Sequence, residues 1–158
     1  MKLLALYPPG GKFQRGEDRC QASIDESLTV SQRACNDLGY IAAIARKYAI
    51  ESKIADYPSE RKTIIDLEND LREYRPDIIF LSSTAGSIIE DSEIFEFIKK
   101  NLPDTIIISK GTLFTTLTYD ELDEYEKYMS YLDYAVKGEA EVCLDYFFAN
   151  FSDQAKRE

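Results

Sequence analysis

Histidine is absent from the 158-residue chain, and so is tryptophan. Without imidazole, Ser-His and Cys-His nucleophilic mechanisms and imidazole ligation of a metal are excluded. Cysteine is scarce: Cys20, Cys35 and Cys143 are three in number, far apart and without metal-ligand spacing. That pattern supports neither a disulfide framework nor a zinc site and reads as free or buried thiols. Long apolar runs are missing, so no segment reads as a bilayer span. The first residues, Met1 to Tyr7, lack the long apolar core and small-residue cleavage site of a signal peptide, which makes a cytoplasmic location the expectation. Positive charge is in deficit, at 19 Lys and Arg against 29 Asp and Glu, for a net charge of −10. A field of that sign disfavours nucleic acid and anionic membranes as partners.

What the chain does contain is an alternation of apolar runs and helical periodicity. Leu3 to Tyr7 and Ile78 to Leu81 are continuous apolar runs, the pattern of strands buried on both faces. Ile50 to Ala55 is interrupted by Glu51, Ser52 and Lys53 and suits an edge. Thr105 to Ser109 and Tyr134 to Val136 supply a fourth and a fifth strand. Between them lie helical stretches. The first carries Ala34, Leu38, Ile41, Ala45 and Tyr48 behind a capping-box pair, Thr29 and Gln32. The second carries Ile64, Leu67, Leu71 and Tyr74. The third has Ile94, Phe95 and Ile98, opened by Ser87 and Glu90 and stopped at Leu102-Pro103. A short acidic helix runs from a Thr118–Glu121 cap through Met129, and a last helix carries Val142, Phe147 and Phe151. Lys12 to about Val30 is polar and aperiodic, a long loop.

Five strands alternating with five helices predict one α/β domain, residues 1–152. It is a three-layer, five-stranded parallel sheet in the flavodoxin-like (Rossmann-like) order 2-1-3-4-5. Residues 153–158 form a polar tail. In such a sheet, ligands bind outside the carboxyl ends of the strands, so four loops are candidates for the site. Pro8-Pro9-Gly10-Gly11 offers a rigid turn with bare backbone. Ser82-Ser83-Thr84-Ala85-Gly86 offers hydroxyls and N–H groups beside a helix start, and serves equally as a cap. Gly111, Thr112 and Thr115 follow the fourth strand. Gly138, Glu139 and Glu141 follow the fifth, where capping alone accounts for one glutamate. Asp120, Glu121, Asp123, Glu124 and Glu126 read as a solvated helix face. The tyrosines Tyr119, Tyr125, Tyr128, Tyr131 and Tyr134 either pack that helix on the sheet or form an exposed partner surface.

Familiar tenants of this fold fail by residue. A receiver domain needs acids after strand 1 and an aspartate after strand 3, where this chain has Pro8-Pro9 and Ser82-Ser83. A flavodoxin needs a Ser/Thr-rich phosphate loop after strand 1, and a dinucleotide domain needs Gly-x-Gly-x-x-Gly there. Neither is present, which leaves a stand-alone nucleotide or flavin binder as the weakest alternative.

The ordered set of motifs resembles the N-terminal cobalamin-binding domain of B12-dependent radical-SAM enzymes, the group that includes anaerobic magnesium-protoporphyrin IX monomethyl ester cyclase. The resemblance covers nearly the whole chain. It rests on Pro8-Pro9 after strand 1, on Leu38 to Ala43, on Asp56 closing the second strand, and on Pro76 to Ser83. It also rests on Lys110 to Thr115, where the family has Gly-Gly-Pro-His-Ala-Thr, and on Asp133 to Glu141, which match Asp-Tyr-x-x-x-Gly-Glu-x-Glu. Here Lys110 stands in place of the first glycine and Leu113 in place of the histidine. The resemblance implies a corrinoid held mainly by backbone and small polar groups at Pro9, Gly10, Ser82, Ser83, Thr84, Gly111, Thr112, Gly138, Glu139 and Glu141. It implies no cobalt-ligating histidine from this chain, no other metal ligand and no catalytic residue. Methyl transfer or anaerobic oxidative cyclisation would be carried out with a downstream radical-SAM domain of the same polypeptide, which holds the 4Fe-4S cluster and S-adenosylmethionine. This chain has no Cys-x-x-x-Cys-x-x-Cys, and the tail at 153–158 would begin the linker to that domain. Lys110 and Leu113 also motivate an alternative: a docking or substrate-gating module that keeps the fold without the cofactor.

Overall fold

The computed structural model describes residues 1–10, 13–14, 22–23 and 34–151. Five strands form the main sheet: β1 (Lys2–Tyr7), β4 (Glu51–Asp56), β5 (Ile78–Ser82), β6 (Ile106–Lys110) and β7 (Tyr134–Val136). Their order is β4-β1-β5-β6-β7, with every pairing parallel. This is the expected 2-1-3-4-5 arrangement. Two further strands of two residues each, β2 (Phe13–Gln14) and β3 (Ala22–Ser23), pair antiparallel inside the stretch read as loop.

The strand period of two divides the core into two layers. Leu3, Ala5, Tyr7, Ile78, Phe80, Ile108 and Val136 face α1 (Asn36–Lys47) and α7 (Ala140–Ala149). Leu4, Leu6, Ile79, Leu81 and Ile107 face the opposite layer, built by α2 (Tyr57–Glu60), α3 (Ile64–Tyr74), α4 (Ile88–Asn101) and α5 (Thr112–Thr116). Burial on both faces explains why β1 and β5 read as unbroken apolar runs. β4 lies at one edge, as its polar residues required.

Several local expectations are corrected. The first helix begins at Asn36 behind Cys35, so Ala34, read as part of its apolar stripe, precedes it; Thr29 and Gln32 lie outside the described residues. Ser87 precedes α4 but its side chain does not cap it. Its hydroxyl instead donates to Asp91 Oδ2 at 2.8 Å and accepts from the Thr84 N–H at 3.0 Å, which breaks the predicted Ser87–Glu90 box. The acidic helix is two pieces, α6 (Tyr119–Asp123) and a 3₁₀ turn at Glu126–Tyr128. Val142, read as a packing residue of the last helix, is 70% exposed, while Leu144, Phe147 and Phe148 make the contact. The five acidic residues of the Asp120–Glu126 stretch are exposed. Tyr125 and Tyr128 pack on the second core layer, whereas Tyr119 is 77% exposed.

The Thr118–Glu121 box does form. The Thr118 hydroxyl accepts from the Glu121 N–H at 3.3 Å, and Glu121 Oε2 accepts from the Thr118 N–H and hydroxyl, each at 2.8 Å. Those bonds, the backbone one first, hold the Glu121 carboxyl below its ordinary value. The box therefore favours the fold at neutral pH, and its contribution fades as pH falls through that lowered value. Thr118→Ala is expected to lower the melting temperature by roughly 2–4 °C at pH 7. The deficit should shrink in scans repeated toward pH 3.

Candidate functional site at the carboxyl rim of the sheet

A cleft of about 640 Å³ opens where the loops after β6 and β7 meet the start of α1. Gly111, Thr112, Thr115 and Thr116 form one wall, Gly138, Glu139 and Glu141 another, and Asn36, Asp37 and Tyr40 the third. Lys110, the last residue of β6, lies at the junction.

The two loops are tied together. The Gly138 N–H donates to Thr115 Oγ1 at 3.4 Å, and the Thr115 hydroxyl donates to the Gly111 carbonyl at 3.2 Å. Lys137 Nζ reaches the Leu117 carbonyl at 3.1 Å. Each glycine answers a different demand. Gly111 has φ +142°, and a Cβ built there would sit 1.9 Å from the Ser83 carbonyl oxygen. It lets β6 turn against β5. Gly138 has φ +90°, and no heavy atom lies within 4 Å of where its Cβ would be. The backbone conformation demands the glycine, and the open space beside it leaves room for a ligand to come close to the backbone.

Beneath the cleft is a buried polar cluster. The Tyr7 hydroxyl donates to Asp37 Oδ1 at 2.5 Å and the Ser82 hydroxyl to Asp37 Oδ2 at 2.9 Å. Lys110 Nζ stands 3.8 Å from the same Oδ2. The Asp37 and Lys110 side chains are only 5% and 13% exposed. Lys110 is thus drawn inward to a counter-charge instead of projecting across the rim. One carboxylate joins β1, α1, β5 and β6 at the point where the chain reverses its direction of travel through the sheet.

The residues singled out from sequence divide three ways. Gly111, Thr112, Gly138, Glu139 and Glu141 come together in the cleft. Pro9 and Gly10 line a separate groove of about 550 Å³ with Ile64, Ile94 and Phe97, between α3 and α4. Ser82, Ser83 and Thr84 are buried, and their polar groups are engaged within the protein. The Ser109 hydroxyl donates to Ser83 Oγ at 2.9 Å, the Ser83 N–H donates to the Lys110 carbonyl at 2.7 Å, and Thr84 pairs with Ser87. Gly11 lies outside the described residues. Sequence reasoning missed Asp37 and Tyr40. Asp37 left one signal: it falls four and eight residues before Ile41 and Ala45, a carboxylate on the apolar stripe of its helix.

Glu139 holds the N-cap position of α7, but its side chain makes no capping bond, and Glu141 lies in the first turn. Among the described residues, no group of three or more Cys, Asp or Glu is arranged to hold a metal ion, and no helix is long and apolar enough to cross a membrane.

Fold and cleft together define a flavodoxin-like α/β domain with a polar, glycine-lined pocket at its carboxyl rim. No protein-family model and no curated protein matches the chain. Solved structures do. One is the radical S-adenosylmethionine methyltransferase TsrM from Kitasatospora setae with cobalamin and a [4Fe-4S] cluster bound, 17% identical, with a TM-score of 0.62 over 96% of this chain and 24% of that one. Another is TsrM from the same organism with tryptophan substrate and the analogue aza-SAM, 16% identical, with a TM-score of 0.61 over 96% of this chain and 26% of that one. These likenesses establish the fold. The chain spans about a quarter of the length of the solved chains it matches.

Proposed function

We propose that this chain is a cobalamin-binding domain of the kind that works with a radical-SAM domain, and that the cleft at Gly111, Thr112, Gly138, Glu139 and Glu141 takes the corrinoid. The observation that carries the reading is Gly138: a glycine held at φ +90° with empty space above it, at the carboxyl end of the last strand, inside the Gly-Glu-x-Glu motif. The donor set fits. Hydroxyls, a lysine ammonium, carboxylates and bare backbone match a large ligand fringed with amide groups. Likeness to a cobalamin-loaded radical-SAM methyltransferase supports the same reading.

When bound, the corrinoid would supply a cobalt centre able to carry a methyl group or change oxidation state. This chain's part is to bind and orient. Gly138 admits the ligand to the backbone, the Thr112 hydroxyl bonds its fringe, and Lys110 with the two glutamates fixes its rotation. With no histidine, the chain gives cobalt no imidazole. The 4Fe-4S cluster, S-adenosylmethionine and the substrate belong, in this reading, to a partner domain of the same polypeptide. A cytoplasmic location is part of the same reading.

Titration with hydroxocobalamin in dim light, then desalting and an absorbance spectrum, tests the proposal. A shifted spectrum retained at about one corrinoid per chain is the expected result. Gly138→Trp carries strain at φ +90° but meets no clash, so it is expected to fold and to lose the corrinoid by filling the cleft. Unchanged affinity in that variant removes Gly138 from the site.

Lys110 favours a second reading, a docking module without cofactor, because its side chain stands where the family has glycine. Its inward pairing with Asp37 limits that argument, since most of the side chain is withdrawn from the opening. A folded wild-type chain that stays colourless in the titration, unimproved by Lys110→Gly, would favour docking.

A further inference from the structure

The cleft carries both signs of charge. At its floor the Lys110 ammonium is a donor with no acceptor capacity, held by the Asp37 carboxylate. Asp37 itself is buried and spent on Tyr7, Ser82 and Lys110. On the wall that follows β7, Glu139 is exposed and Glu141 half-buried, and both are pure acceptors. Glu139 is not spent on its helix, as it makes no capping bond.

A primary carboxamide matches this arrangement, because its carbonyl takes the donor and its NH₂ group serves the acceptors. A carboxylate of the same shape does not. It could meet Lys110, but its other oxygen would face two like charges in a chain of net charge −10. Resting on the corrinoid reading above, we propose that Glu139 and Glu141 are specificity residues that admit a corrinoid with amidated side chains and reject one whose side chains are free acids. The repulsive element against the wrong ligand, more than attraction for the right one, sets the discrimination.

The test compares dicyanocobinamide, fully amidated at the ring, with dicyanocobyrinic acid, its free-acid counterpart. Both lack the nucleotide tail. Binding is read by absorbance titration at low salt. The wild-type chain is expected to prefer cobinamide by at least about tenfold, since one like-charge contact suffices for that factor. In Glu139→Gln/Glu141→Gln the acid should gain and the ratio should fall to within about threefold. Glu73→Gln/Asp104→Asn removes the same charge near the opposite ends of the strands and controls for net charge; it should leave the ratio within twofold of wild type. Equal wild-type affinity for the two probes overturns the proposal. So does a ratio that ignores Glu139 and Glu141, or one that moves as much in the distant control. Loss of both probes together with hydroxocobalamin overturns the corrinoid reading itself, whereas tight but indiscriminate binding overturns only the specificity.

Discussion

Gly111→Ala is expected to cost about 3–5 kcal/mol of stability, the sum of backbone strain and steric displacement. The residue has φ +142° and ψ −178°, a region open essentially to glycine alone. A methyl group there would stand 1.9 Å from the Ser83 carbonyl oxygen, with the Ser83 carbonyl carbon at 3.0 Å. Neither atom belongs to a flexible side chain. Relief would require β6 to part from β5, and the bond from the Ser83 N–H to the Lys110 carbonyl lies on that path. Gly138→Ala is the control. It carries strain at φ +90° without any clash, so it should cost only about 1 kcal/mol. Urea melts of the two variants measure the difference. A Gly111→Ala protein as stable as Gly138→Ala would show that the loop relaxes freely.

Asp37→Ala should be comparably damaging, at about 3–5 kcal/mol, because it removes one partner of a buried ion pair. The carboxylate receives hydroxyl bonds from Tyr7 and Ser82 and faces the Lys110 ammonium. Its loss takes that counter-charge from a side chain only 13% exposed. Lys110→Met is expected to be milder, since Asp37 keeps its two hydroxyl donors and the methionine fills similar space. The double variant Asp37→Ala/Lys110→Met should then cost less than the sum of the singles, as coupled residues do. Strict additivity in denaturant melts would mean that the two charges do not interact. The same cycle matters for function: Lys110→Gly opens the rim and also strips Asp37 of its partner, so a change in corrinoid binding needs Lys110→Met beside it.

Much of the architecture was legible because the signals are local. Leu3 to Tyr7 and Ile78 to Leu81 could only be strands buried on both faces, and the polar residues of the second strand placed it at the edge. Gly138, Glu139 and Glu141 were legible as a turn on the carboxyl rim because a strand, a turn and a helix start follow one another within a few residues. The Thr118–Glu121 cap needs no distant partner, and it formed. The Ser87–Glu90 cap failed because Asp91 and Thr84 claim the Ser87 hydroxyl. Val142 was misjudged because the phase of an apolar final helix is set by what it packs on, and α1 with the sheet selects Leu144, Phe147 and Phe148.

The sequence by itself determined the strand order, the side of the sheet on which loops gather, and the absence of histidine chemistry. All three follow from period, composition and short-range turn chemistry. Only the tertiary structure decided which rim residues meet. It buried Ser82, Ser83 and Thr84 by satisfying them with Ser109, Ser87, Lys110 and Asp37. It moved Pro9 and Gly10 to another groove. It joined Asp37 to Lys110, far apart in the chain. A buried polar group must find a partner, and the choice among partners lies in the packing of strands rather than in any local pattern.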